Sequence, residues 1–197
     1  MPEPTTADTA VPTGPDVDVV DLLLTQHARI EEQFLLVAAA TGDARQETFD
    51  DLVRLLAVHE TAEEEVVHPL SRSLLDDGDP LIDDRLAEEH QAKDMLKQML
   101  DAGADDAGFD DALLLLRHAV LSHARHEERY EFPALRAKVP ADQLRALATA
   151  VRAAEALAPT RPHPGTESAT ANLVLGPPLA IIDRVRDAIR SATRPGS

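Results

Sequence analysis

Two histidine–glutamate pairs with identical spacing are the residues of this sequence that most directly suggest chemistry. Glu63 follows His59 by four positions, and Glu127 follows His123 by four positions. Both pairs begin the pattern HxxxEExxxxP, and the second copy starts 64 residues after the first. Imidazole nitrogens and carboxylate oxygens are common metal ligands. A lone HxxxE pair is frequent on solvated helices, so it is the duplication that indicates a metal site.

A further histidine precedes each pair at nearly the same distance. His27 lies 32 residues before His59, and His90 lies 33 residues before His123. The chain therefore resembles two copies of one helical hairpin, with a histidine on the first helix and HxxxE on the second. This arrangement predicts that four histidines and two glutamates converge inside the fold.

The helical faces of these residues support an internal site. At about 100° per residue, three of the four histidines lie on apolar stripes. His90 lies at the edge of its stripe, because Ile82 and Leu100 fall about 80° away. Glu63 and Glu127 lie about 40° from the histidines that precede them, so both carboxylates are expected to be buried.

A buried carboxylate is costly unless it is paired or binds a cation. Two such carboxylates beside four imidazoles predict a pair of metal ions. The sequence has no cysteine, which excludes thiolate ligands, disulfides and iron–sulfur clusters. A nitrogen and oxygen donor set fits iron, and manganese, zinc or copper less well.

Four long helical patterns must position these residues, with glycine and proline at their ends. The predicted helices cover residues 17–40, 47–75, 81–102 and 109–139. Similar lengths and short loops predict an all-α, up-down-up-down four-helix bundle over residues 17–140, with a C-terminal helical extension.

The remaining chain divides by composition. We predict a disordered N-terminal tail, an additional helix, a Pro/Gly-rich linker, and a C-terminal amphipathic helix and tail. These segments are residues 1–16, 141–158, 159–177 and 178–197, in that order.

The balance of charge limits the partners. Asp and Glu number 36 against 19 Lys and Arg, for a formal net charge of −17. Such acidity disfavours nucleic acid and anionic membranes. No targeting segment and no long apolar stretch is visible, so the expected location is cytoplasmic.

The pattern H…HxxxE…H…HxxxE resembles the hemerythrin-like (HHE cation-binding) family over about residues 17–140. The resemblance implies a four-helix bundle with a non-haem diiron centre. Oxygen carriage, oxygen or redox sensing, iron handling, and peroxide or nitric-oxide chemistry are all linked to the family. By motif, the implied ligands are His27, His59, Glu63, His90, His123 and Glu127.

The sequence departs from oxygen-carrying hemerythrins at two points. Position 94 on the third helix is Asp, where those proteins have a second histidine. Their fourth-helix carboxylate lies five residues after the histidine, which here is Glu128. The internal repeat favours Glu127, and Glu128 stays open as an alternative.

Coordination arithmetic leaves room for a small ligand. Four imidazoles, two bridging carboxylates and a bridging oxide or hydroxide leave two open positions on two six-coordinate irons. Tyr130 is a candidate for an extra ligand, and Glu31 and His126 are candidates for supporting the ligands by hydrogen bonding. His68 and His118 are expected to be structural or surface residues, and no catalytic residue is assigned.

We therefore expect a diiron protein that reacts with oxygen or peroxide, for instance by catalase-like disproportionation. The alternative is a non-enzymatic sensor, carrier or store for oxygen, nitric oxide or iron. In that case the C-terminal helix would contact a protein partner or a second copy of the chain. A metal-free structural bundle is the third interpretation, which the duplicated motif argues against.

Overall fold

The computed structural model describes residues 17–74 and 78–157, and all regular structure within these ranges is helical. The prediction of an all-α bundle is confirmed. Two π-helical segments, π1 (Glu63–Val67) and π2 (Glu127–Glu131), interrupt the second and fourth long helices. The α-helices are α1 (Val19–Ala39), α2 (Asp43–Ala62), α3 (His68–Leu74), α4 (Gly78–Ala102), α5 (Phe109–His126), α6 (Phe132–Lys138) and α7 (Ala141–Leu157).

Four rods form the bundle: α1, α2–π1–α3, α4 and α5–π2–α6. Adjacent rods are antiparallel, as the contacts between α1 and α2 illustrate. Gln33 Nε2, late in α1, donates to the carbonyl of Thr48, early in α2. Gln26 lies nearer the start of α1, and it contacts His59, which lies nearer the end of α2.

Local sequence explains where the rods begin and end. The Asp18 carboxylate accepts a hydrogen bond from the Asp21 amide, and Asp21 accepts one from Asp18 in return. This reciprocal cap satisfies amides at the start of α1. Gly42 after α1 and Gly103 after α4 have φ of 57° and 84°, a left-handed conformation that favours glycine.

The apolar core is divided into two clusters, with a polar layer between them. On α1, Val19 to Leu23 contribute to the first cluster, and Ile30, Phe34 and Val37 to the second. Gln26 and His27 are buried between them. Each apolar cluster excludes water from one end of the polar layer.

Helix α7 lies where the additional helix is predicted and completes the first cluster. Leu144, Leu147, Ala148 and Val151 are buried there against residues of α1 and α6. The predicted N-terminal tail, the linker over 159–177 and the C-terminal helix over 178–197 lie outside the described residues. Among the described helices, none is both long and apolar enough to cross a membrane.

Candidate metal centre

The two repeated glutamates begin the two π-helical segments. Glu63 is the first residue of π1 and Glu127 the first residue of π2. Both side chains are fully buried. A π segment inserts about one extra residue into a helical turn and is frequent at functional sites. The duplication in sequence is therefore matched by a duplicated irregularity in the backbone.

One half of the site gathers around His27 of α1. Its Nε2 atom lies 3.5 Å from Glu63 Oε1 and 3.5 Å from Glu127 Oε2. His59 Nε2 lies 3.0 Å from the same Glu63 oxygen. These four buried residues together can offer four ligand atoms to one metal ion.

The other half gathers around His123 of α5. Its Nε2 atom lies 3.6 Å from Glu127 Oε2, 3.9 Å from Glu63 Oε2 and 3.8 Å from Glu89 Oε1. His68 Nε2 lies 2.5 Å from the same Glu89 oxygen. Glu63 and Glu127 thus lie within reach of both halves, as bridging carboxylates must.

The Nδ1 atoms of the four clustered histidines are each held by a second polar side chain. His27 Nδ1 lies 2.8 Å from Glu128 Oε1, and His59 Nδ1 lies 2.8 Å from Gln26 Oε1. The corresponding partners are Glu88 for His123 and Glu131 for His68, at 3.2 and 3.4 Å. Holding Nδ1 in this way aims Nε2 at the centre, which is the usual arrangement of metal-ligating histidine.

Several inward-facing atoms have no hydrogen-bond partner among the described residues. They are Nε2 of His27, Nε2 of His123, and both carboxylate oxygens of Glu63 and of Glu127. Leaving a buried polar atom unsatisfied costs about 1–3 kcal/mol, and more for a charged group. Six such atoms in one place are explained if cations belong among them, so the residues present fit a metal centre.

The electrostatics of the two glutamates point the same way. Burial alone would raise the pKa of Glu63, but His59, His123 and His27 hold it well below its ordinary value. Burial and the negative charge of Glu63 raise the pKa of Glu127 to about 8. Two carboxylates in one dry space resist ionising together unless positive charge is supplied.

The imidazoles divide into one neutral group and three that favour the proton. Burial lowers the pKa of His59 to about 4. Burial would also lower the others, but neighbouring carboxylates raise the pKa of His68 to about 10 and of His123 to about 11. The pKa of His27 is likewise raised well above its ordinary value, by Glu127, Glu128 and Glu63 against the effect of burial.

The structure corrects the prediction for His90. Its side chain is 80% exposed and lies 3.7 Å from Asp94 on the outside of α4. Glu89 takes the inward position instead and is 2% exposed. The apolar stripe of α4 indicates this inward position in the sequence, because Ile82 and Leu100 lie only about 20° from position 89 around the helix.

The contacts of the two hairpins show which residues of α1 and α4 occupy equivalent positions. Gln26 holds the Nδ1 atom of His59, and Glu88 holds the Nδ1 atom of His123. The residue after Gln26 is His27 and the residue after Glu88 is Glu89, so Glu89 is the counterpart of His27. Alignment by residue type pairs two histidines, whereas alignment by contacts pairs a histidine with a glutamate.

His68 is a member of the cluster that sequence reasoning missed. In an unbroken α-helix it would point about 180° away from His59, nine residues earlier. The extra residue of π1 turns the chain beyond it back by about 100°. His68 is therefore buried against Glu89, and its ring centroid lies 6.4 Å from that of His123.

The supporting roles predicted for two residues are also corrected. Tyr130 is 48% exposed, because π2 turns it outward. On the surface its ring lies near the His126 ring and beneath the Arg129 guanidinium. Glu31 is half exposed and pairs with Arg117. Neither lies in the buried cluster.

His126 and Glu128 occupy the outer layer of the site. His126 Nδ1 lies 3.3 Å from Glu88 Oε1, so it neighbours the residue that holds His123. Glu128 contacts the Nδ1 atom of His27, whereas Glu127 is buried at the centre. Of the two alternatives on the fourth helix, Glu127 is the one placed inward.

A small cavity of about 20 Å³ adjoins the cluster, enough for one water-sized molecule. Its polar walls are His27, His59, His123, Glu60, Glu88 and Glu89, and the rest of the lining is apolar side chains from the neighbouring turns. The apolar walls include Ile30, Leu56, Ala92, Val120 and Ala124. A small neutral molecule can therefore lie beside the inward-facing ligand atoms.

Residues 18–135 match the family model described as the hemerythrin HHE cation binding domain. A protein of Nostoc sp. (strain PCC 7120 / SAG 25.82 / UTEX 2576) named DNA nickase is 28% identical over 141 residues. The match covers 71% of this chain and 40% of the nickase. No solved structure matches the chain.

Proposed function

This chain belongs to the hemerythrin HHE cation-binding family, and we propose that its buried cluster holds two iron ions and reacts with oxygen or peroxide. His27 and His59 would bind one ion, and His68, His123 and Glu89 the other. The two centrally placed glutamates would bridge the pair. Metal binding by this cluster is the part of the proposal that the family and the buried donor groups support directly.

The observation that carries the proposal is the set of six buried ligand atoms without a hydrogen bond on His27, His123, Glu63 and Glu127. Together with the Nε2 atoms of His59 and His68, these six atoms exceed the ligands that one six-coordinate iron binds. Imidazole and carboxylate donors together with open positions are typical of iron sites that activate oxygen. Two ions also neutralise the charge that burial makes costly for the two glutamates.

A bound iron pair supplies electrons for reversible oxygen binding or for peroxide turnover. The protein contributes the cavity for the small molecule and excludes water from it. The apolar walls of the adjoining cavity, among them Ile30, Leu56 and Val120, favour a small neutral molecule over ions. The outer partners Gln26, Glu88, Glu128 and Glu131 keep the imidazoles oriented.

Peroxide turnover is the leading candidate: the His27 half offers four ligand atoms, so an oxygen bridge would leave its ion one open position for peroxide. The five ligand atoms of the other half and the bridge would fill all six positions of the second ion. A reversible carrier or sensor of oxygen or nitric oxide is the second candidate, favoured by the small size of the cavity.

The nickase relative does not lead us to propose DNA cleavage. The match leaves most of that protein uncovered. Here the central glutamates are fully buried, so a phosphodiester has no access to them. The net charge of −17 also repels a phosphate backbone.

The test begins with metal analysis of protein loaded with Fe²⁺, and separately with Mn²⁺ and Zn²⁺. We expect two iron ions per chain and an optical band from oxygen-bridged ferric iron. The iron form is then given peroxide, and oxygen release is followed. Peroxide consumption supports the leading candidate, whereas a reversible oxygen adduct with peroxide untouched supports the carrier. Absence of bound iron excludes both.

A further inference from the structure

A second concavity lies between α4 and α5, at the end where the two helices are joined. Its volume is about 260 Å³, and its lining includes Met95, Met99, Phe109, Ala112 and Leu115. Leu115 is 62% exposed. Because this leucine is contiguous with the apolar lining of the groove, the two form one surface on which another apolar surface can pack.

The rim of this groove is acidic. Five aspartates occur between residues 101 and 111, and all are exposed. Lys97 and Arg45 each form an ion pair with one of them. The others are Asp105, Asp106 and Asp111, and Asp106 belongs to the lining of the groove. An occupant should therefore be apolar on one face and basic at its edge.

The chain itself contains such a segment beyond the described residues. Between residues 178 and 192, apolar residues recur at helical spacing. Ile182, Val185 and Ile189 are among them, and Arg186 and Arg190 follow Ile182 by one and two turns. Residues 178–192 hold three arginines and two aspartates, and residues 158–197 hold five arginines and three acidic residues, whereas the whole chain has a net charge of −17.

The connection is long enough to reach the groove. Residues 158–177 separate α7 from this segment, and 20 extended residues span up to about 66 Å. The longest bundle helix, α4, has 25 residues and is about 37 Å long. We propose that residues 178–192 dock in the groove of their own chain, with the apolar face on Met95, Met99 and Leu115 and the arginines beside the aspartates.

The absence of cysteine from the chain permits a direct test with paired substitutions in the full-length protein. Leu115→Cys with Val185→Cys is expected to form a disulfide within one chain under mild oxidation. The control pair combines Val185→Cys with Leu36→Cys, an exposed position on α1. A bond that forms only between two chains would overturn the proposal in favour of a second copy as occupant. Equal crosslinking by both pairs would overturn it altogether.

Hydrogen exchange provides the second measurement, again with a matched control. We expect Leu115→Glu to accelerate exchange of amides in 178–192 by about 10–100-fold, the equivalent of losing one buried leucine contact. Leu36→Glu should leave their exchange unchanged. Metal content should stay the same in both variants, because neither leucine touches the histidine cluster. Fast exchange of 178–192 in the unaltered protein would contradict docking.

Discussion

Glu89 Oε1 lies 2.5 Å from His68 Nε2, and both side chains are buried. The sequence predicts neither residue as a ligand, and it names His90 as the ligand on the third helix. The contact joins α3 to α4 and places one imidazole and one carboxylate beside His123. It defines the half of the metal centre that the motif alone does not reveal.

The first prediction separates the two ligand sets. His68→Ala should remove at least one metal ion per chain, because an inward imidazole is lost. His90→Ala should retain the full complement, since its side chain is exposed. Metal content after loading and desalting measures both. Loss of metal from His90→Ala, with retention by His68→Ala, would reinstate the motif-based assignment.

The second prediction concerns the central glutamates. Metal present at about 100 times its Kd should stabilise the unaltered protein by about 2.7 kcal/mol for each bound ion, or about 5–10 °C in Tm per ion for a chain of this size. The double variant Glu63→Gln/Glu127→Gln should gain little, because amides are poor bridging ligands. Thermal unfolding with and without Fe²⁺ gives both values.

The matched control for that experiment is Glu64→Gln, since Glu64 is part-buried and pairs with Lys93. It should respond to metal as the unaltered protein does. An equal gain in Tm for the double variant would show that the ions bind elsewhere.

The third prediction follows from the raised pKa values of the imidazoles. Neighbouring carboxylates, acting against burial, raise the pKa of His68 to about 10 and of His123 to about 11. Both are protonated at neutral pH without metal, and a ligand must lose its proton. Metal binding at pH 7 should therefore release protons, and affinity should rise with pH up to about 10–11.

The same shifts fix the sign of the stability change without metal. The unfolded pKa of histidine is about 6.5, so the stabilisation of His68 and His123 is complete below it. It is lost as pH rises through about 10 and 11. Calorimetry in buffers of different ionisation enthalpy counts the protons, with His90→Ala as the control. Binding without proton release at pH 7 would contradict the proposed ligands.

The fourth prediction addresses the outer layer. Glu88 accepts a hydrogen bond from His123 Nδ1, so Glu88→Gln should weaken metal affinity by about 10–100-fold. Asp84→Asn is the control, because Asp84 is an exposed carboxylate one turn earlier on the same helix. Competition with a chelator measures the affinities. Equal metal affinities in the two variants would show that Glu88 does not support the metal ligands.

The fifth prediction tests whether α7 belongs to the folded bundle. Leu144 is buried in the first apolar cluster, so Leu144→Ala should cost about 2–5 kcal/mol in free energy of unfolding. Leu114→Ala should change it by no more than about 0.5 kcal/mol, because Leu114 is 63% exposed. Urea unfolding provides both values, and a negligible effect at Leu144 would show that α7 is dispensable.

Much of the architecture could be predicted from sequence. Glycine and proline punctuation and apolar periodicity locate the rods, because both act within a few residues along the chain. The repeat places His27, His59, Glu63, His123 and Glu127 on inward faces, and the structure brings these five side chains into one cluster. The iron, its stoichiometry and its reactivity stay predictions.

What the sequence by itself determined is the duplicated hairpin and the central carboxylates, which depend on local spacing within unbroken helix. Only the tertiary structure decided which side chains complete the site. A π segment shifts every later residue around its helix by about 100°, which turns His68 inward and Tyr130 outward. On α4, the packing of Ile82 and Leu100 in the core selects Glu89 over His90. The apolar stripe of α4 does carry a signal for Glu89, whereas the π segments leave none in spacing counted at about 100° per residue.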